Sequence, residues 1–194
     1  MRELHTERLL LRTPRERDAA EIMAIRNSAF VMKNNVMEVL DKEQMVHLIH
    51  RGIDYEDTWY IERKEDGALL GMIAAEEDGV RFDVRSRCLS YYLGEQYTRQ
   101  GYMKEALRAV LHELFTEEDH LEVVAARVFT GNIASEKLLR SLGFVYEGCI
   151  RRCVRQKAKS AMTCSFRYCG RNISRRKNNF TKKLDLEYTL SCKI

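Results

Sequence analysis

The sequence predicts one α+β domain of α/β type, a mixed central β-sheet flanked by helices. Two observations lead there. The chain has 194 residues, 45% of them hydrophobic, which is the size of one domain with enough apolar material for a core. Strand-like and helix-like segments also alternate along it, the pattern of a layered α/β or α+β domain.

In chain order, Leu9-Leu10-Leu11-Arg12 reads as a short strand that Pro14 ends. Asp18 is placed to cap a helix through about Asn27, with Ala19, Ile22, Met23 and Ile25 apolar. A second helix is predicted from Lys42 to Ile53. Trp59 to Glu62 and Leu69 to Ala75, separated by Lys64-Glu65-Asp66-Gly67, form a hairpin with an Asp-Gly turn. Another strand is predicted from Cys88 to Leu93. From Gly101 to about Thr116, Met103, Leu107, Val110, Leu111 and Leu114 recur at three- and four-residue spacing and line one helix face. Leu121 to Phe129 reads as a buried strand, and Ala134 to Leu142 as a helix with Gly143 as its C-terminal cap.

The composition narrows the function. The first residues carry charges where a signal peptide needs an apolar stretch, and no run approaches the ~20 apolar residues that span a bilayer. A cytoplasmic protein with no membrane partner is expected. Cysteines 88, 149, 153, 164, 169 and 192 form no CxxC pair, so free thiols and no metal site are expected. Residues 1–156 hold 23 Lys+Arg against 27 Asp+Glu, a net −4, whereas residues 157–194 hold 10 against 2, a net +8. A basic tail of that kind raises nucleic acid as a partner. The origin of the tail argued below disfavours that reading.

The chemistry is concentrated between Leu93 and the helix near Gly101. A loop that enters a helix N-terminus presents unpaired N–H groups and the positive end of the helix dipole, a setting that suits a pyrophosphate. Every strand-to-helix junction has such donors, so the residues must say more. Tyr91-Tyr92-Leu93-Gly94, followed by Arg99-Gln100-Gly101-Tyr102-Met103-Lys104-Glu105-Ala106-Leu107, resembles the acetyl-CoA motif of the GNAT N-acetyltransferases. The likeness is to the branch that acetylates the N-terminal alanine of ribosomal proteins. Asn132-Ile-Ala-Ser135, then Gly143-Phe144 and Glu147-Gly148, resembles the second block of that branch, and Thr6-Glu7-Arg8-Leu9 to Arg12 its opening. The resemblance covers residues 1 to about 155.

The resemblance implies the GNAT fold, with splayed strands that form an acetyl-CoA cleft. It implies cofactor contacts from Tyr92, Leu93, Arg99, Gln100, Gly101, Tyr102, Met103, Lys104, Asn132 and Ser135, and direct attack of a primary amine on the thioester. There are departures. Thr98 stands where the motif prefers Gln or Arg, Arg99 where the branch has Gly, and Met103 where it has a small residue. Backbone N–H groups make the phosphate contacts, so Met103 is tolerable if it points into the core. Many relatives have a tyrosine proton donor at the position of Leu139, which leaves Ser135 as the catalytic hydroxyl the resemblance implies. No general base is evident, since Cys88 stands where relatives often place a glutamate; Glu76, Glu77, Glu95, His47 and His50 read as solvated groups. Deprotonating an α-amine of pKa ~8 at pH 7 costs only about 1.4 kcal/mol, against about 4.6 for a lysine near ~10.4. This favours a protein N-terminal α-amine.

Other readings are open at this point. A small amine, such as a polyamine or an aminoglycoside, could be the acceptor, with Asp54, Glu56 and Asp57 as pocket acids. The chain could bind CoA without turnover, and a homodimer is compatible with the sequence. Residues 157–194 read as an atypical basic tail. Where the family has a hairpin and a closing strand, Lys157 to Asn172 shows neither a strand period nor a plausible turn. Read from the third base of the Lys157 codon, the possible codons give an acidic residue across Met162–Thr163. An apolar run and the family's closing pattern follow. A one-position frame change, with a tail that packs poorly, is replaced by an improvised strand or is supplied by a partner chain, is therefore expected.

Overall fold

The computed structural model describes residues 2–35, 37–156 and 159–169. Its strands are β1 (Leu4–His5), β2 (Leu9–Arg12), β3 (Thr58–Arg63), β4 (Leu69–Glu77), β5 (Ser86–Leu93), β6 (Val123–Phe129), β7 (Val145–Gln156) and β8 (Lys159–Cys169). The helices are α1 (Ala19–Arg26), α2 (Ala29–Met32), α3 (Lys42–Asp54), α4 (Tyr102–Glu117) and α5 (Ile133–Leu142). The strands form one mixed sheet in the order β1-β2-β3-β4-β5-β6-β8-β7.

Local chemistry sets the helix ends. Asp41 and Gln44 form a capping box at the start of α3, each side chain accepting from the other's backbone N–H. Gly143 ends α5 in the left-handed region at φ +98°. Asp18 occupies the cap position of α1 but makes no side-chain cap there. Its carboxylate instead takes a two-pronged ion pair from buried Arg12 and the N–H of Arg15, because leaving two buried guanidinium nitrogens short of this acceptor would cost more than a missing cap.

The sheet separates two apolar layers. On one face Trp59, Ile61, Ile73, Leu89 and Val124 pack with the α4 stripe of Met103, Leu107, Val110, Leu111 and Leu114, and with Leu139 of α5. On the other, Tyr60 and Leu69 pack with Ile22 of α1 and with Met45 and Ile49 of α3. Met103 is only 7% exposed, so the bulky residue in the motif faces the core, as its tolerance required.

The expectation that Lys157 to Asn172 lacks a strand period is corrected here. Residues 159–169 form a paired strand in the interior of the sheet, with β6 on one side and β7 on the other. From Thr163 to Tyr168 the strand alternates. Phe166 (fully buried), Tyr168 and Cys164 pack on the α4/α5 layer, while Thr163 and Ser165 are buried on the other face. Cysteine, phenylalanine and tyrosine at every second position supply the strand period that the basic composition conceals. The rest of the tail reading, at residues 157–158 and 170–194, lies outside the described residues.

Candidate active site

The sheet splits at its centre. β5 and β6 are parallel and pair only from Ser86–Val123 to Leu89–Ala126. On its other edge β5 stays paired with β4 as far as Leu93–Gly71. The edge of Ser90 to Leu93 that faces β6 is therefore left without a strand partner, beside a wedge between two strands. An extended ligand can supply the missing backbone partners there.

α4 begins beyond the end of β5. Gly101 occupies its cap position at φ +84°, and Arg99 is also left-handed at φ +61°. The first backbone N–H bonded back into the helix is that of Glu105, to Gly101 O, so the N–H groups of Tyr102, Met103 and Lys104 are free of the helix ladder. The opening of the chain holds this loop in place. The Arg8 guanidinium donates to the Gln100 carbonyl and to Glu105, and stacks over the Tyr102 ring at 4.4 Å. Thr6 Oγ1 and the Arg8 N–H both donate to Glu105 as well, at 2.6 and 2.9 Å. Burial opposes the Glu105 charge, but these donors outweigh it and hold its pKa below the usual carboxylate range.

The other side of the wedge is the N-terminus of α5. Asn132 caps it, its side-chain oxygen accepting from the Ser135 N–H at 3.2 Å. Ser135 lines a cleft of about 410 Å³ together with Asn132, Ser90, Tyr91, Arg127 and Phe129. The Tyr91 hydroxyl is buried and, among the described residues, has no partner within hydrogen-bond distance; burial pushes its pKa up to about 12, and the nearby Ser135 hydroxyl offsets only part of this. A second cavity of about 330 Å³ lies between α1, α3 and strands β3 to β5, and it shares Asn35, Ser90 and Tyr91 with the first. The two meet where the sheet splits.

The residues singled out from the sequence thus fall into separate places. Arg99, Gln100, Gly101, Tyr102, Met103 and Lys104 form the loop and first turn of α4, and Asn132 and Ser135 stand across the wedge. Leu93 packs in the core, leaving only its backbone at the split. The Tyr92 side chain lies on the opposite face, lining the second cavity, and burial pushes its pKa up. His47 and His50 are exposed, and neither lines a cavity. Asp54, Glu56 and Asp57 line neither cavity, and Asp57 is turned toward Thr58 and Arg51.

Other residues came to light only in the structure. Asp78, buried, pairs with Arg81 and Arg127, and Arg127 Nη1 donates to the Cys88 sulfur at 3.2 Å. Burial works against the Asp78 carboxylate, but hydrogen bonds from Arg127 and Arg81 prevail and lower its pKa. The alternation Leu89, Tyr91, Leu93 could have placed Tyr91 on the α4/α5 face. Nothing in the sequence placed Arg26 beside the second cavity. Among the described residues, no group of three or more His, Cys, Asp or Glu is arranged to hold a metal ion, and no helix is long and apolar enough to cross a membrane.

A sheet split beside an open helix N-terminus is the architecture of the GNAT acyltransferases, and solved structures bear out the fold. A GNAT-family acetyltransferase from Bacillus anthracis matches with a TM-score of 0.78 at 19% identity, over 87% of this chain and 98% of the other. The ribosomal-protein-S5-alanine acetyltransferase from Vibrio fischeri matches at 0.74 and 18%, over 87% and 97%. RimJ from Mycobacterium smegmatis, in complex with CoA-disulfide, matches at 0.71 and 20%, over 85% and 83%. The acetyltransferase (GNAT) domain family matches residues 8–145. An uncharacterized N-acetyltransferase, YoaA, from Bacillus subtilis (strain 168) is 30% identical over 159 residues, 77% of this chain and 86% of its own. The chain belongs to the GNAT acetyltransferase family, and it is an enzyme of the N-acetyltransferase type.

Proposed function

We propose that the protein transfers the acetyl group of acetyl-CoA to the α-amine of a protein N-terminus, with a ribosomal protein as the first acceptor to test. The pyrophosphate is received by the backbone of residues 99–104. Arg8 and Glu105 fix that loop and Tyr102 packs beneath Arg8. The pantetheine follows the free edge of Ser90 to Leu93, with Tyr92 contributing backbone only, and Asn132 and Ser135 stand on its other side. The amine nitrogen attacks the thioester carbon, a backbone N–H of the β5 edge stabilises the oxyanion, and the C–S bond breaks. Ser135 gives its proton to the departing thiolate and recovers one from the amine through solvent.

One observation carries the choice of acceptor. Among the described residues, the two cavities have one carboxylate in their linings, Glu76, and it is held by Arg51. A site without a free base suits an amine that is already largely neutral, hence an α-amine rather than a lysine. The ribosomal-protein acetyltransferases among the structural neighbours support the same choice. A polyamine acceptor loses support because Asp54, Glu56 and Asp57 line neither cavity, and Asp57, behind the wall of the second, is engaged by Thr58 and Arg51.

Thiol release from acetyl-CoA, measured with N-terminal peptides, lysine peptides, polyamines and aminoglycosides, tests the reading. Faster release with α-amines is the expected result, and mass spectrometry of acetylated lysate proteins then identifies the acceptor. Acetyl-CoA binding without release for any amine would leave a CoA-binding protein instead.

A further inference from the structure

The second cavity contains a buried cation that has no counter-ion among the described residues. Arg26, at the last turn of α1, is 5% exposed and lines this cavity with Tyr60, Tyr92 and Met45. Its Nη1 donates to the Glu38 carbonyl at 2.7 Å and to Asn27 Oδ1 at 3.3 Å, while its Nε is buried and donates to nothing. Among the described residues no carboxylate lies within ion-pair distance of it. The other two charges in the lining, Arg51 and Glu76, are paired with each other. Arg51 has Asp57 as a second carboxylate at 3.8 Å, so the charge in the lining left without an ion-pair partner is Arg26. Burial pushes its pKa down, and Tyr92 offsets only part of this.

An unpaired guanidinium in a buried setting is costly, by several kcal/mol for a fully desolvated ion. Elsewhere this chain pairs its buried cation, as Arg12 with Asp18 and Glu62. A guanidinium that faces a cavity is relieved when the ligand brings the anion, and a carboxylate matches its donor fork.

We propose that Arg26 binds a carboxylate of the acceptor, so that the amine acetylated here carries an acid group close to the nitrogen. This rests on the acetyl-transfer reading, since the amine must reach Ser90–Tyr91 while its acid group meets Arg26 on the wall of the same cavity. The carboxylate can belong to an acidic side chain at the start of a peptide or be the α-carboxylate of a free amino acid.

Calorimetry with CoA present separates these sources, using acetylated product analogues that need no turnover. Three probes differ only in charge placement: N-acetyl-aspartate α-amide (side-chain carboxylate), N-acetyl-asparagine (α-carboxylate) and N-acetyl-asparagine α-amide (neither). At least one acid should bind ~10-fold or more tighter than the neutral probe, as charge-assisted hydrogen bonds predict. Which acid wins names the source. The preference should vanish in Arg26→Met and survive in Arg26→Lys, which keeps the charge but not the fork. Equal affinity for all three probes, no binding of any of them, or a preference that persists in Arg26→Met overturns the proposal. The wild-type comparison decides even where Arg26→Met does not fold. Tight acid binding with no thiol release for any amine would instead overturn the acetyl-transfer reading and leave the anion site standing.

Discussion

Gly101 shows how one residue constrains a ligand site. At φ +84° it occupies a region that costs an L-residue roughly 1–2 kcal/mol, more for a β-branched one, and a Cβ there would point toward Arg8 Nη2 at 3.4 Å. Gly101→Val should strain the turn and place a side chain where phosphate oxygens approach the helix N–H groups. Calorimetric titration with acetyl-CoA should then find binding lost, and an unchanged affinity would remove the loop from the cofactor site. Arg99 adopts the same region at φ +61° without being glycine. Arg99→Gly should therefore leave the fold intact and shift the thermal midpoint upward or not at all. Ser135 makes a different kind of contribution. Its N–H completes the Asn132 cap, which an alanine preserves, so Ser135→Ala removes only the hydroxyl beside Tyr91. If that hydroxyl protonates the thiolate, the turnover number should fall roughly 10²-fold while acetyl-CoA affinity hardly moves. An unaltered turnover number would leave Tyr91 or water as the donor, and Tyr91→Phe would tell those two apart.

Among the elements, β5 decides whether the cleft exists. It must stay locked to β4 along one edge while parting from β6 along the other, and Gly71 makes the locked edge close. A Cβ at Gly71 would sit 2.1 Å from the Tyr92 carbonyl oxygen and 2.9 Å from the Leu93 Cα, both backbone atoms that cannot turn aside. Gly71→Ala should therefore displace the end of β5 toward the wedge. A loss of about 1–3 kcal/mol in denaturant unfolding, with a weakened affinity for acetyl-CoA, is expected; stability and affinity both at wild-type level would mean that the strand pair relaxes without cost. Elements of this kind differ in how far the sequence reveals them. The α4 stripe, the Asp66-Gly67 turn and the Gly143 stop are local patterns, and the structure follows them to within a residue or two. Met103 could likewise be assigned to the core from its place in that stripe. The close approach at Gly71 was not legible, because it depends on a neighbour more than twenty positions away. The charge of Arg26 carries no signal in the sequence, and only its place in the fold, beside Met45 of α3 and Tyr60 of β3, shows that no acid among the described residues pairs with it. The burial of the Tyr91 hydroxyl beside Ser135 is hidden in the same way, since alternation gives its face but not its neighbours.

For the molecule as a whole, the decisive segment is the one whose composition looked least like a fold. Whether residues 157–194 arose by a change of reading frame is a separate question from whether they pack. The gene sequence set beside the intact protein mass answers it. The packing has consequences of its own. β8 is interior, so removing it would leave the β6 edge opposite β5 and the inner edge of β7 without partners. It would also take away fully buried Phe166 and the Tyr168 ring, which packs 5.3 Å from Phe144 and 5.9 Å from Phe115. Truncating a single buried phenylalanine costs about 3–5 kcal/mol. A domain of ordinary stability has about 5–15 kcal/mol in total. A chain ending at Gln156 loses that phenylalanine, the neighbouring ring and two ladders of backbone hydrogen bonds together, which exceeds what the remaining core can offset. It should be insoluble or lack a cooperative thermal transition, although it retains the whole acetyl-CoA motif and every residue assigned to the cofactor. Phe166→Ala in the full chain is the milder form of the same experiment. It should lower the thermal midpoint by several degrees while leaving acetyl-CoA affinity close to that of the parent. A truncated chain that melts cooperatively and binds acetyl-CoA would show that β8 covers the sheet without being required for it.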